Sequence, residues 1–194
     1  MKIPSPSRGG SGWGWGYLRM KNIALVGFMG SGKTAVGKVL AERLGYKFID
    51  TDEIIERSEG KTISALFNEE GEQRFREIEA RIVRELFGLK RHVISTGGGI
   101  VTNKENISNL KKGGLIVWLK AAPETIYNRV SSKTHRPLLN VEDPLETIKK
   151  LLTFREPFYA EADVSVDTDG LDVEKIVEVI IKAYDKMSEV RSQK

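Results

Sequence analysis

The stretch Gly27-Phe28-Met29-Gly30-Ser31-Gly32-Lys33-Thr34 limits what this chain can fold into more than any other feature. It matches G-x-x-x-x-G-K-[ST], follows the apolar run Ile23-Ala24-Leu25-Val26 and opens an amphipathic stretch. A strand passing through a glycine turn into a helix is the context in which this pattern carries chemistry. The glycines let several backbone N–H groups turn toward one anion, and the helix N-terminus adds a favourable field. In that setting Lys33 reaches the β- and γ-phosphates of a nucleotide, and the Thr34 hydroxyl meets Mg²⁺.

The rest of the chain supplies the sheet such a loop requires. β-rich runs fall at 22–27, 47–50, 92–95, 115–119 and 164–166. Helical periods separate them. Val36, Val39, Leu40 and Leu44 form one stripe over 33–44, and a long charged stretch over 62–87 is broken at Gly71. Val173, Ile176, Val177, Ile180, Tyr184 and Met187 recur at helical spacing near the C-terminus. Strands alternating with helices predict a parallel sheet covered on both faces, with ligands beyond the carboxyl ends of its strands. Two stretches break the alternation. The segment 51–79 is too long for a plain crossover, and 130–143 (VSSKTHRPLLNVED) is polar, basic and suited to a lid.

A length of 194 residues fits one α/β domain, placed at 21–188. The first 20 residues, rich in Gly, Ser and Pro, read as a flexible extension, and 189–194 as a short tail. Net charge is +4, but Lys2, Arg8 and Arg19 lie in the acid-free extension and leave the remainder at +1. That balance gives little reason to expect nucleic-acid binding. The absence of cysteine excludes disulfides and Cys-ligated zinc and fits a reducing, cytoplasmic setting. No apolar run reaches the roughly 18 residues that span a bilayer. The expected form is a monomer without a membrane partner.

Candidate chemistry gathers at the predicted strand ends. Asp50 and Asp52 follow the second strand two residues apart, and on an extended backbone they would point the same way. One carboxylate can hold Mg²⁺ through water while the other takes a proton from an acceptor hydroxyl. The plainer reading is that Asp52 caps a helix over 53–57. Thr96-Gly97-Gly98-Gly99 after the third strand lets a ligand approach the backbone closely, or makes a turn before a helix near Asn103. Arg76, Arg129, Arg136 and Arg155 each offer the fork that binds carboxylate or phosphate, and chemistry alone does not choose among them. His92 and His135 lack metal-ligand spacing and read as non-catalytic.

Taken together, G-F-M-G-S-G-K-T, F-I-D-T-D, G-E-Q-R-F-R-E-I-E, S-T-G-G-G, R-P-L-L and R-E-P-F-Y-A-E-A-D resemble the shikimate kinase family in order and spacing, over roughly 21–187. The resemblance implies a three-layer α/β/α P-loop fold like that of nucleoside monophosphate kinases. Its five-stranded parallel sheet has the order 2-3-1-4-5, with a helical substrate-binding segment and a lid. It implies transfer of the γ-phosphoryl group of ATP to the 3-hydroxyl of shikimate, with Mg²⁺. The nucleotide positions are then Gly30, Ser31, Gly32, Lys33, Thr34, Ala35, Arg129 and Arg136. The metal positions are Thr34 and Asp50. Asp52, Arg76, Gly97, Gly98, Gly99 and Arg155 would meet shikimate. Lys33, Asp52 as base, and Arg136 in the lid would carry catalysis. The adenine-contacting segment would fall at 167–172, which here reads D-T-D-G-L-D without basic or proline residues.

Two other readings are open to the sequence. Within the same fold, the acceptor could be gluconate or a nucleoside monophosphate. In another class, Asn103-Lys104-Glu105-Asn106 superficially resembles the guanine-reading N-K-x-D of a GTP-dependent switch, but ends in Asn and follows a glycine turn.

Overall fold

The structure, a computed structural model, describes residues 21–86, 88–131 and 141–192, with side chains through residue 187. Arg136, His135, the extension 1–20 and most of the expected lid lie outside the described residues. Five strands, β1 (Asn22–Val26), β2 (Lys47–Asp50), β3 (His92–Ser95), β4 (Gly114–Lys120) and β5 (Val164–Asp167), pair in parallel in the order β2-β3-β1-β4-β5. The central strands β1 and β4 are almost continuously apolar because both their faces are covered.

On one face, α1 (Lys33–Leu44) and α7 (Val173–Ser192) press Val36, Leu40, Ile176, Val177 and Ile180 onto Ile23, Leu25, Val117 and Leu119. On the other face, Ala24, Val26, Ile116 and Trp118 meet Val83 of α3 (Ile63–Leu86), Ile107 and Leu110 of α4 (Lys104–Gly113), and Tyr159. Each large apolar side chain removed from water in these layers contributes about 1.5–3 kcal/mol.

The segment between β2 and β3 holds two helices rather than one. α2 (Thr51–Glu59) packs on α3 through Ile55, Leu66, Phe75, Ile78 and Ile82. The helical run of α3 is interrupted at Gly71, whose φ of 83° and ψ of 168° suit glycine alone. The break falls where the sequence placed it. After β4, α5 (Pro123–Val130) and α6 (Pro144–Tyr159) pack together around Phe28, Ile126, Val130 and Ile148. Asp143 caps α6, accepting from Glu146 N at 2.9 Å, and the helix continues through Pro157 to Tyr159.

Candidate active site

Parallel register fixes the floor of the site. Asp50 of β2 lies opposite Ser95 of β3, and Ser95 lies opposite Leu25 of β1. Phosphate loop, acidic turn and second glycine loop therefore leave the sheet side by side at its carboxyl edge.

Beyond β1 the chain turns through Gly30 and Gly32 at φ 78° and 97° into α1. Lys33, only 8% exposed, folds over the loop, and its Nζ donates to Gly27 O at 2.8 Å and Phe28 O at 2.9 Å. The ammonium is thus held at the centre of the glycine turn. Ser31 Oγ is buried and makes no hydrogen bond among the described residues. Arg129 of α5 reaches the same loop: its Nη1 donates to Gly30 O and Thr168 Oγ1, both at 3.3 Å, and Nη2 donates to Thr168 O. Ala35 is exposed on the first turn of α1.

Thr34 Oγ1 donates to Asp50 Oδ2 at 2.9 Å and stands 3.4 Å from Ser95 Oγ. The other Asp50 oxygen caps α2, accepting from Asp52 N at 3.1 Å. This corrects the expectation that the two carboxylates share one extended face: the chain turns helical at Thr51 and places Asp52 in the first turn of α2. The cap that the plainer reading gave to Asp52 is made by Asp50.

Asp52 is aimed instead at the second glycine loop. A Cβ on Gly97 would lie 2.9 Å from Asp52 Oδ1 and 2.8 Å from Glu79 Oε1, so two carboxyl groups converge there. Thr51 Oγ1 accepts from Gly97 N at 3.0 Å and anchors that end of the loop. At the other end, Arg76 lies against Gly99: a Cβ there would stand 2.5 Å from both Nη atoms, so a side chain at 99 would push the guanidinium out of its place. Arg76 is gripped by Glu79 Oε2 at 2.9 Å on Nη1, and by Glu72 Oε1 at 3.0 Å on Nη2 and 3.3 Å on Nε. Between them, Gly98 O accepts from Arg155 Nη1 at 3.3 Å and Tyr159 Oη at 2.5 Å.

The electrostatics set a buried and a half-buried guanidinium beside a buried carboxyl. Arg155 is 7% exposed, lies 5.4 Å over the Phe28 ring, and its Nε finds no partner among the described residues. A buried guanidinium N–H left unmatched is costly. Glu79, 1% exposed, has its carboxyl raised above the usual range. Burial is the largest cause and Asp52 adds to it, outweighing the opposing pull of Arg76 and Arg155. Arg76 is held above its ordinary value: burial works against its charge, but Glu79 and Glu72 more than restore it. Burial also pushes the Tyr159 hydroxyl up to about 12, so it stays a donor.

The structure thus gathers Lys33, Thr34 and Asp50 at one station, and Asp52, Arg76, Gly97, Gly98, Gly99 and Arg155 at an adjoining one. Glu79, Tyr159, Thr51 and Ser95 had no role in the sequence reading. Helical spacing carried a signal for two of them, since Glu79 follows Arg76 by three residues and Tyr159 follows Arg155 by four. Asn103 is a helix cap, accepting from Glu105 N at 2.9 Å, and Asn106 is buried with its amide on Ile100 O. Neither is arranged to read a guanine. In the 167–172 segment Asp169 accepts from Ala122 N and Asp172 from Lys175 N, so these acids serve backbone amides.

A family model described as shikimate kinase matches residues 29–185. A shikimate kinase of Thermodesulfovibrio yellowstonii is 50% identical over 169 residues, covering 87% of this chain and 98% of the relative. One from Caldanaerobacter subterraneus is 48% identical over 168 residues, 87% of this chain and 98% of its own. Among solved structures, shikimate kinase from Acinetobacter baumannii in complex with shikimate superposes with a TM-score of 0.83 at 38% identity, over 88% of this chain and 96% of that one. With loop, carboxylates and arginines in place and similarity along nearly the whole described chain, this protein belongs to the shikimate kinase family.

Proposed function

We propose that this site transfers the γ-phosphoryl group of ATP to the 3-hydroxyl of shikimate, giving shikimate 3-phosphate and ADP, through the following division of labour. The observation that carries the reading is the contact between the two glycine loops. A Cβ on Gly98 would stand 3.2 Å from Met29 N and 3.6 Å from Gly27 O, so an acceptor on one loop abuts a nucleotide on the other. Residues 30–35 cradle the phosphates. Lys33 leaves the loop carbonyls for the β- and γ-oxygens, and Arg129 stands at the nucleotide. Arg76 and Arg155 take the shikimate carboxylate, and backbone amides of Gly97 to Gly99 take its oxygens. Asp52 accepts the hydroxyl proton as the oxygen attacks phosphorus. Arg136, by resemblance, neutralises charge on the transferring group. Little covalent work falls to the protein; positioning and charge neutralisation carry the rate.

Thr34 and Asp50 fit Mg²⁺. They form a hydroxyl–carboxylate pair of hard oxygen donors beside the phosphate cradle, and Mg²⁺ needs only one or two such protein ligands alongside phosphate and water. When bound, the ion neutralises phosphate charge.

All these groups come from one unit, 21–188, with 51–79 as the acceptor segment and 130–143 as the lid, and the chain works as a monomer in the cytoplasm. Among the described residues no helix is long and apolar enough to cross a membrane. An ADP-release assay over shikimate, gluconate and nucleoside monophosphates tests the reading. We expect turnover with shikimate; turnover with another acceptor and none with shikimate would reject it.

A further inference from the structure

The carbonyl of Gly98 is held by two donors from one face of α6, one residue of which has no place in the chemistry above. Tyr159 is 1% exposed, and its ring stacks on Trp118 at 5.6 Å between centroids and 20° between planes. Its hydroxyl donates to Gly98 O at 2.5 Å, a short contact beside the longer one from Arg155 Nη1 at 3.3 Å. Tyr159 lies four residues after Arg155, so both side chains leave the same side of the helix.

This arrangement acts on the next amide. In a planar trans peptide the C=O and N–H point opposite ways. Holding the Gly98 carbonyl toward α6 turns the Gly99 N–H away from α6. Arg76 stands against Gly99 itself, with Asp52 and Glu79 against Gly97 of the same loop. Gly99 is buried, and its N–H meets no acceptor among the described residues. A backbone N–H in a buried residue needs a partner, and a bound acceptor molecule can supply one here. The rest of the loop is pinned independently, by Thr51 on Gly97 N and by Thr102 Oγ1 on Gly99 O. The 98–99 peptide, in contrast, takes its anchors from α6.

We propose that Tyr159 is a positioning residue for the acceptor. It fixes the 98–99 peptide plane so that the Gly99 N–H presents to shikimate, and it shares the Gly98 carbonyl with Arg155 so that this guanidinium keeps its place. The Trp118 ring is the backstop that keeps the phenol from rotating away. Tyr159 touches neither substrate and moves no proton: burial holds its hydroxyl protonated throughout the working pH range. The proposal rests on the reading that Arg155 and the second glycine loop form the acceptor site.

Tyr159→Phe keeps the ring on Trp118 and removes only the hydroxyl. We expect KM for shikimate to rise about three- to tenfold, the scale of one net hydrogen bond, with KM for ATP unchanged and kcat altered less than about twofold. A merely structural role would lower the unfolding midpoint and the active fraction while leaving both KM values alone, and that outcome overturns the proposal. Arg155→Lys, measured in parallel, separates the two layers. If it raises KM for shikimate and Tyr159→Phe does not, the positioning role fails; if neither does, the acceptor-site reading fails first. Should Tyr159→Phe not fold, the native protein still decides. The Gly99 amide resonance is expected to shift when shikimate is added without nucleotide, and a resonance that does not move overturns the proposal.

Discussion

Arg76 and Glu79 show how one residue's role depends on another's burial. Arg76→Ala removes a charge-assisted partner of the acceptor carboxylate, which costs about 1.5–3 kcal/mol, roughly ten- to a hundredfold in KM for shikimate. It also strands Glu79, whose side chain is 1% exposed, so stability falls as well. The double variant Arg76→Ala/Glu79→Gln should regain stability without regaining KM. Steady-state kinetics beside thermal unfolding checks both halves, and recovery of KM in the double variant would break the assignment. Glu79 further sets a pH dependence. Its folded pKa lies above that of an ordinary glutamate, so its contribution to stability is complete below the unfolded pKa. The contribution declines as pH rises toward the folded pKa, because the unfolded chain releases the proton first. Unfolding midpoints from about pH 4 to about pH 8 should therefore decline less in Glu79→Gln than in the native protein. At this scale the sequence was legible where a motif names a residue, as at Lys33, Thr34 and Arg155. It was fainter where a residue acts through another: helical spacing sets Glu79 beside Arg76 and Tyr159 beside Arg155, but does not show that Glu79 is buried or that Tyr159 reaches Gly98.

Among the elements, α3 carries the clearest consequence. Both parts share one apolar cluster with Ile55 of α2, Leu66 before Gly71 and Phe75, Ile78 and Ile82 after it, and the part after Gly71 also presents Arg76 and Glu79 to the glycine loop. Gly71 sits at φ 83°, ψ 168°, with nothing within 4 Å of a Cβ, so the obstacle to a side chain is the backbone alone. Gly71→Ala should cost about 1–3 kcal/mol of stability and raise KM for shikimate, because relief of the strain re-aims Arg76. Chemical denaturation and acceptor kinetics would show it; an unchanged midpoint would mean the break is not held by this residue. The break was readable because glycine interrupts an otherwise regular helical period. The turn at Thr51 was not. Asp50 and Asp52 are two apart in a run that continues β-rich residues, and alternation suggested one face. Local capping decided otherwise, since Asp50 binds the Asp52 amide and starts α2 immediately. α6 was not read from the sequence, and it runs on to Tyr159 although Pro157, in its last turn, leaves the carbonyl four residues earlier without the usual amide donor.

For the whole molecule, the sheet order followed from the family resemblance and the sheet's existence from alternation; both are observed. Nucleotide and acceptor bind only the folded chain, so they stabilise it by mass action. At a hundredfold excess over Kd the gain is about 2.7 kcal/mol, or roughly 5–10 °C for a domain of this size. Thermal scans with ATP and Mg²⁺ should show that shift, and EDTA should shrink it and stop turnover; full activity in EDTA would remove the metal assignment at Thr34 and Asp50.

The row that sets Asp50 beside Ser95 and Ser95 beside Leu25 has an architectural consequence. Strand pairing works as a ruler, graduated in steps of about 3.3 Å with a change of side at each mark. Sliding β2 by a single mark would carry its carboxylate away from Thr34 and hide it behind the sheet, with every residue still present. The enzyme's tolerance for insertions should therefore be lopsided: generous in the bends at the amino ends of the strands, such as Leu89 to Arg91, and nearly absent within the strands themselves.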